Sequence, residues 1–133
     1  MANVQERLEN ILKDLQEKLP DMEALVILSP DGLVLSSLLP PETDEDKVAA
    51  MTAIALSLGE RALSELDKGE CEEVILKGEK GFILMVNAGE YGGIAVLTSK
   101  EAKLGMILYE LRKSSQEFVK VMSETQSKEP ISS

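Results

Sequence analysis

TDEDKVAAMTAIALSLGERALSELDK, residues 43–68, reads as one long helix that is apolar on more than one side. Val48, Met51, Ala55, Leu58 and Ala62 follow helical spacing and make an expected core stripe. Ala49, Ala50, Ala53, Ile54 and Leu56 then cover much of the remaining circumference of its first half. A surface helix of a small domain needs one apolar face, so a second one must be buried elsewhere. The extra face is mostly Ala, with Ser57 and Gly59 nearby, and small residues let two backbones approach closely. The expected occupant is the same helix of a second copy, because closed twofold dimers are the commonest oligomers. Thr43 is the expected cap, Asp44, Glu45 and Asp46 suit the first turn, and Lys68-Gly69 marks the end.

Outward from this helix the chain alternates short elements. Towards the N-terminus, Val4, Leu8, Ile11, Leu12, Leu15 and Leu19 form one stripe of a first helix, which Pro20 stops. Two apolar runs, 24–28 and 33–38, flank Ser29-Pro30-Asp31-Gly32. Pro at the second turn position presets φ and Gly at the fourth accepts a positive φ, so a type I turn closing a hairpin is expected. Beyond the long helix, strands are expected at 73–77, 82–87 and 93–97, joined by short glycine-bearing connectors. Thr98-Ser99-Lys100-Glu101 offers a capping box for a last helix, which buries Leu104, Ile107, Leu108, Leu111, Phe118 and Met122. From Ser123 the composition turns to Ser, Thr, Gln, Lys, Glu and Pro, and residues 123–133 read as a frayed or disordered tail after a domain of residues 1–122. The order is α-β-β-α-β-β-β-α. Locally connected strands imply an antiparallel sheet of five strands, and an α+β fold of the α/β-sandwich kind.

Composition narrows the function. The chain has 133 residues, enough for one domain with a real core. Lys and Arg total 14 against 24 Asp and Glu, a net charge of -10, which argues against nucleic acid or an anionic membrane as partner. The acidity serves solubility first, and steering toward a basic patch on a partner protein second. There is no basic, apolar leader at residues 1–6 and no run of about 20 apolar residues, so a soluble cytoplasmic protein is expected. The chain has no His, the commonest general base and metal ligand. Its one cysteine, Cys71, sits between Glu70 and Glu72, where negative charge disfavours a thiolate. No metal site, no cofactor and no enzymatic role are expected. The glycines at 78, 81, 89, 92 and 93 are read as hairpin turns, since they match no phosphate-loop pattern. Met51, Met85, Met106 and Met122 are expected to fill the core.

The chain resembles the Roadblock family of dynein-light-chain-type domains, in particular the free-standing prokaryotic members. The resemblance rests on Leu8-Glu9-Asn10-Ile11-Leu12, on Ser29-Pro30-Asp31-Gly32-Leu33-Val34-Leu35, and on the helix from Ala49-Ala50-Met51 through Leu58-Gly59-Glu60-Arg61-Ala62. It continues through Val74-Ile75-Leu76-Lys77-Gly78, Gly81-Phe82-Ile83-Leu84, Leu97 and Leu104-Gly105. It implies a homodimer, or a heterodimer with a Roadblock-like paralogue. In such dimers the middle helices pack side by side and the sheets join through the strand after that helix, here with Val74 and Leu76. It also implies a small Ras-like GTPase as partner, and one branch, the bacterial gliding-polarity regulators, accelerates GTP hydrolysis by repositioning the GTPase's own residues. Ala49, Ala50, Ala53, Ile54, Ser57, Arg61, Val74 and Leu76 are therefore the candidate interface residues. Lys47, Ala50, Ile54, Ser57 and Arg61 are expected to share a face turned away from the sheet. Arg61 is read as an ion-pair partner of Glu65 at i+4 rather than as an arginine finger. Two other readings stand beside the GTPase regulator. One is a dimeric structural adaptor that meets no nucleotide switch. The other is a small-ligand sensor, for which Phe82, Tyr91, Tyr109 and Phe118 are the available aromatics.

Overall fold

The computed structural model describes residues 2–128. Its order is α1 (Val4–Lys18), β1 (Met22–Leu28), β2 (Val34–Leu38), α2 (Glu45–Glu65), β3 (Glu73–Lys77), β4 (Gly81–Asn87), a 3-10 turn (Gly89–Tyr91), β5 (Gly93–Ser99) and α3 (Leu104–Lys128). The five strands form one antiparallel sheet in the order β2-β1-β5-β4-β3. The expected α+β order and sheet are those observed. α1 and α3 pack on one face of the sheet, and α2 lies across the other.

The main core lies beneath α1 and α3. Leu8, Leu12 and Leu15 of α1 meet Leu25 and Ile27 of β1, Ile94 and Val96 of β5, and Leu111 and Phe118 of α3. Full burial of one such side chain contributes about 1.5–3 kcal/mol, so this layer supplies most of the stability. On the other face the strands present Val26, Leu28, Met85 and Ala95 to α2, a thinner layer with few large residues from the helix itself.

The β1–β2 turn is as expected. The Gly32 N–H donates to the Ser29 carbonyl at 3.0 Å, and Gly32 has φ +83°. The register then slips by one residue, with Ile27 opposite Ser36 and Leu28 opposite Val34. Leu35 is the extra residue of this bulge.

Several boundaries differ from expectation, each for a local reason. Asp44, rather than Thr43, caps α2, its carboxylate accepting from the Lys47 N–H at 3.2 Å. α2 ends earlier than Lys68. Asp67 takes the left-handed conformation expected of Gly69, and the Lys68 N–H reaches the Leu63 carbonyl while the Asp67 N–H reaches that of Ser64. Thr98 and Ser99 do not open α3. They complete β5, where Thr98 pairs with Met22 and Phe82, and the helix starts at Leu104. α3 passes the expected tail boundary at Ser123 and continues to Lys128, while 129–133 lie outside the described residues. Val121, unassigned in the expected stripe, is fully buried.

Candidate partner interface

α2 has an enclosed face and an exposed apolar face, but it is rotated from the expected core stripe. The face against the sheet is the small one. Ala49 is 0% exposed against Val26 and Leu28, and Thr52 and Leu56 follow it at helical spacing. The Thr52 hydroxyl donates to the Val48 carbonyl at 2.7 Å, which satisfies its polar group inside the layer. Of the expected core stripe, Val48 and Ala55 are half-buried and Ala62 is exposed. Met51 and Leu58 face water at 53% and 66% exposure, and Ile54 beside them at 59%.

The physical reason is close approach. A Cβ on Gly32 would lie 3.2 Å from the Ala53 Cβ and 3.7 Å from the Ala49 carbonyl oxygen, so the hairpin turn presses on the small residues of α2. At the other end, a Cβ on Gly59 would lie 3.1 Å from Val74 Cγ2 and 3.2 Å from Cys71 Sγ. Gly59 thus brings α2 down onto its own β3, not onto another helix. Ala49, Ala53 and Gly59 are thus used inside the protomer, while Met51, Ile54 and Leu58 are left outside.

The sequence-derived site residues divide accordingly. Ala49 is withdrawn from the candidate interface, because its side chain is fully enclosed by the protomer. Ala53 packs on the Val26–Leu28–Ala49 cluster and Val74 on the Leu56–Met85–Ala95 cluster, so both are only half open. Lys47, Ala50, Ile54, Ser57 and Arg61 are all exposed. The Arg61 guanidinium pairs with Glu65, Nε to Oε1 at 3.2 Å, along the helix surface. Leu76 is 45% exposed. Met51, Leu58 and Ile75, outside that set, are also exposed, the last 43% on β3. A signal for them existed: Met51, Ile54 and Leu58 are themselves spaced i, i+3, i+7.

β3 is the sheet's edge strand, and α2 leans toward it. Ala55, Val74 and Ile83 all pack on the Leu56–Met85–Ala95 cluster, and Gly59 approaches Val74, so the flank of α2 carrying Ala55, Leu58 and Ala62 lies toward β3. Leu76 pairs with Ile83 and shares the α2 side of the sheet with Val74. Helix flank and strand edge together form an apolar surface. Asn87 braces the junction: its amide donates to Glu60 Oε1 at 2.7 Å and to the Cys71 carbonyl at 2.9 Å. Arg112 of α3 reaches the start of β3 from the other layer, with Nε and an Nη on the two Glu73 oxygens at 3.0 and 2.7 Å. That carboxylate pushes the pKa of the Arg112 guanidinium further up.

The remaining chemistry is self-contained. Burial, then Glu60 and Glu73, raise the Cys71 thiol pKa, so a thiolate is disfavoured mainly by enclosure and not by the sequence neighbours Glu70 and Glu72. Among the described residues, no group of three or more His, Cys, Asp and Glu is placed to hold a metal ion, and no helix is long and apolar enough to cross a membrane. A cleft of about 450 Å³ between α1 and α3 is lined by Arg7, Asp14, Lys18, Glu110, Lys113 and Glu117. These charges pair with one another or with Glu124, as a helix–helix seam does. Met106, expected in the core, is 43% exposed on α3.

The family model for the Roadblock/LC7 domain matches residues 8–98. The uncharacterised protein MJ1340 of Methanocaldococcus jannaschii is 33% identical over 109 residues, which is 82% of this chain and 94% of that protein. Among solved structures, the Roadblock/LC7 domain from Streptomyces avermitilis has a TM-score of 0.78 at 26% identity, covering 84% of this chain and 93% of that one. The gliding protein MglB from Thermus thermophilus has a TM-score of 0.81 at 16% identity, covering 93% and 94%, a likeness of fold.

Proposed function

The chain belongs to the Roadblock/LC7 domain family, and on that premise we propose that it is a non-catalytic, cytoplasmic, dimeric regulator or scaffold that binds a small Ras-like GTPase. The observation that carries the reading is the outer face of α2. Met51, Ile54 and Leu58 stand more than half exposed, and Leu76 is 45% exposed on the same side of the sheet at its open edge strand. Contiguous apolar surface of this kind marks an interaction site. The flank with Ala55, Leu58 and Ala62 lies toward β3 and suits a second protomer. The outward residues Lys47, Ala50, Ile54, Ser57 and Arg61 mix charge with apolar area and suit a GTPase. On this reading Arg61 pairs with Glu65 along the helix surface and is not assigned the role of an arginine finger. Any effect on hydrolysis acts through the GTPase's own residues.

The test is an affinity pull-down from the protein's own cell extract, run in parallel with a non-hydrolysable GTP analogue and with GDP and read by mass spectrometry. A small GTPase should be recovered preferentially in one nucleotide state. Ile54→Asp should abolish that recovery, or dimerisation, while the chain stays folded, because Ile54 makes little of the protomer's core. Recovery of only the chain itself, or of assembly subunits indifferent to nucleotide, would replace the GTPase reading with a structural adaptor.

A further inference from the structure

Where the β1–β2 turn and the β4–β5 connection meet the second half of α2, they leave a groove with two arms. The narrow arm, about 190 Å³, is walled by Pro30 of the turn and by Ala53, Leu56 and Ser57 of α2. The wider arm, about 700 Å³, runs past Ser64 to Asp67 and Glu70 beyond the helix end. Glu60, Asn87 and Gly89 line both arms, so Glu60 stands at their junction. Ala53, Ser57, Glu60 and Ser64 recur at i, i+4, i+7 and i+11, so one helix face supplies both the room and the charge. Ala55, Leu58 and Ala62 line neither arm, which separates the groove from the flank toward β3.

The charge of the groove has one sign. Among the described residues, no Lys or Arg lines either arm, and Glu60, Asp67 and Glu70 make no ion pair. The cations nearest in sequence are turned elsewhere. Arg61 pairs with Glu65 on the helix surface, and Lys68 lines a different cleft together with Arg112. From Asp31 to Glu73 the chain carries eleven acidic residues against three basic ones, so the surroundings reinforce the sign.

Glu60 is also held in place. The Asn87 amide donates to its Oε1 at 2.7 Å and to the Cys71 carbonyl at 2.9 Å, while the Gly89 N–H donates to Asn87 Oδ1 at 3.1 Å. Oε1 keeps one lone pair and Oε2 keeps two. A fixed carboxylate beside carbon walls suits a side chain with an apolar stem and a forked, charged head. Arginine has both: its methylenes can lie along Ala53 and Leu56 while the guanidinium takes the two oxygens of Glu60. Arginine is also enriched among the side chains that anchor protein interfaces.

We propose that this groove accepts an extended segment of a partner protein, anchored by an arginine on Glu60 and followed by a second cation toward Asp67 and Glu70. The inference goes beyond the GTPase reading, since it needs neither a GTPase nor a second copy.

The test is a titration of the isotope-labelled chain with acetyl-arginyl-lysine amide, followed by NMR. The amide signals of Glu60, Asn87 and Gly89 should shift together and saturate. The citrulline counterpart keeps the shape and loses the guanidinium charge, and should bind about tenfold more weakly or worse. Glu60→Gln can still accept from Asn87, and should weaken the arginine peptide about tenfold. Asp67→Asn puts a residue that tolerates the left-handed conformation at φ 58°, and should weaken it about threefold. Equal affinity for the citrulline peptide, or shifts spread over the acidic surface and unchanged in Glu60→Gln, would reduce the effect to general charge attraction and overturn the proposal. So would an absence of shifts up to about 10 mM peptide, where binding of even about 4 kcal/mol would register. Signals at Glu60 and Gly89 that change with protein concentration and then ignore the peptide would put a second copy in the groove, and overturn it as well.

Discussion

Cys71 lies buried where α2 comes down on β3, with Sγ 3.2 Å from where a Cβ on Gly59 would stand. Burial first, then Glu60 and Glu73, hold its thiol pKa above the usual value. The fold therefore favours the protonated form. Its contribution is fully present below the unfolded thiol's pKa, about 8.5. Above that the unfolded chain releases the proton before the native one does, and stability falls as pH rises through the folded value. Urea unfolding between about pH 7 and 10 should show a downward slope that Cys71→Ala reduces. Equal slopes in the two proteins would mean that the fold leaves the thiol free to ionise. Gly32 makes a second test at this scale. With φ +83° and the Ala53 Cβ in its path, Gly32→Ala should cost about 1–2 kcal/mol in the same measurement. An unchanged midpoint would show that the hairpin turn does not press on α2.

At the scale of the element, neighbours on α2 should behave as opposites. Ala49→Asp buries a carboxylate against Val26 and Leu28 without a partner and should destabilise by about 3 kcal/mol or more. Ala50→Asp sits on the exposed side and should change stability by no more than about 0.5 kcal/mol, provided unfolding is followed at concentrations where the chain is monomeric. Similar costs at both positions would overturn the rotation of α2 described here. The existence and order of the elements were legible because each carries its own period and its own turn chemistry, as in Pro30 and Gly32 of the first hairpin. The rotation of α2 was not legible, because both of its faces are apolar and periodicity cannot say which one meets the sheet. That choice is made by long-range approach, the hairpin turn on Ala49 and Ala53 and β3 on Gly59. The ends of β5 and α3 were misplaced for a similar reason. Thr98 looks like a cap locally, yet its two strand neighbours hold it in the sheet. Of the candidate interface residues, Ala49 is therefore enclosed by the protomer, while Met51, Leu58 and Ile75, which the sequence reading did not assign to that surface, stand exposed.

At the scale of the whole molecule, the core under α1 and α3 is deep, while the layer under α2 is thin and its outer side is bare. A net charge of -10 keeps such a surface from indiscriminate association, so whatever covers it must offer enough matched apolar area to outweigh repulsion. If a second copy covers it, folding and assembly are linked, and stability must depend on protein concentration. Each tenfold increase then adds about 1.4 kcal/mol to the folded dimer. Spread over the unfolding entropy of two 133-residue chains, this raises Tm by about 2–3 °C per decade. Calorimetry from about 5 to 500 μM should follow that rise, and Leu58→Asp should flatten it by removing the apolar surface while leaving the protomer's own core intact. A native Tm that ignores concentration across this range would mean that no second copy covers α2, and the surface would then belong wholly to a different partner.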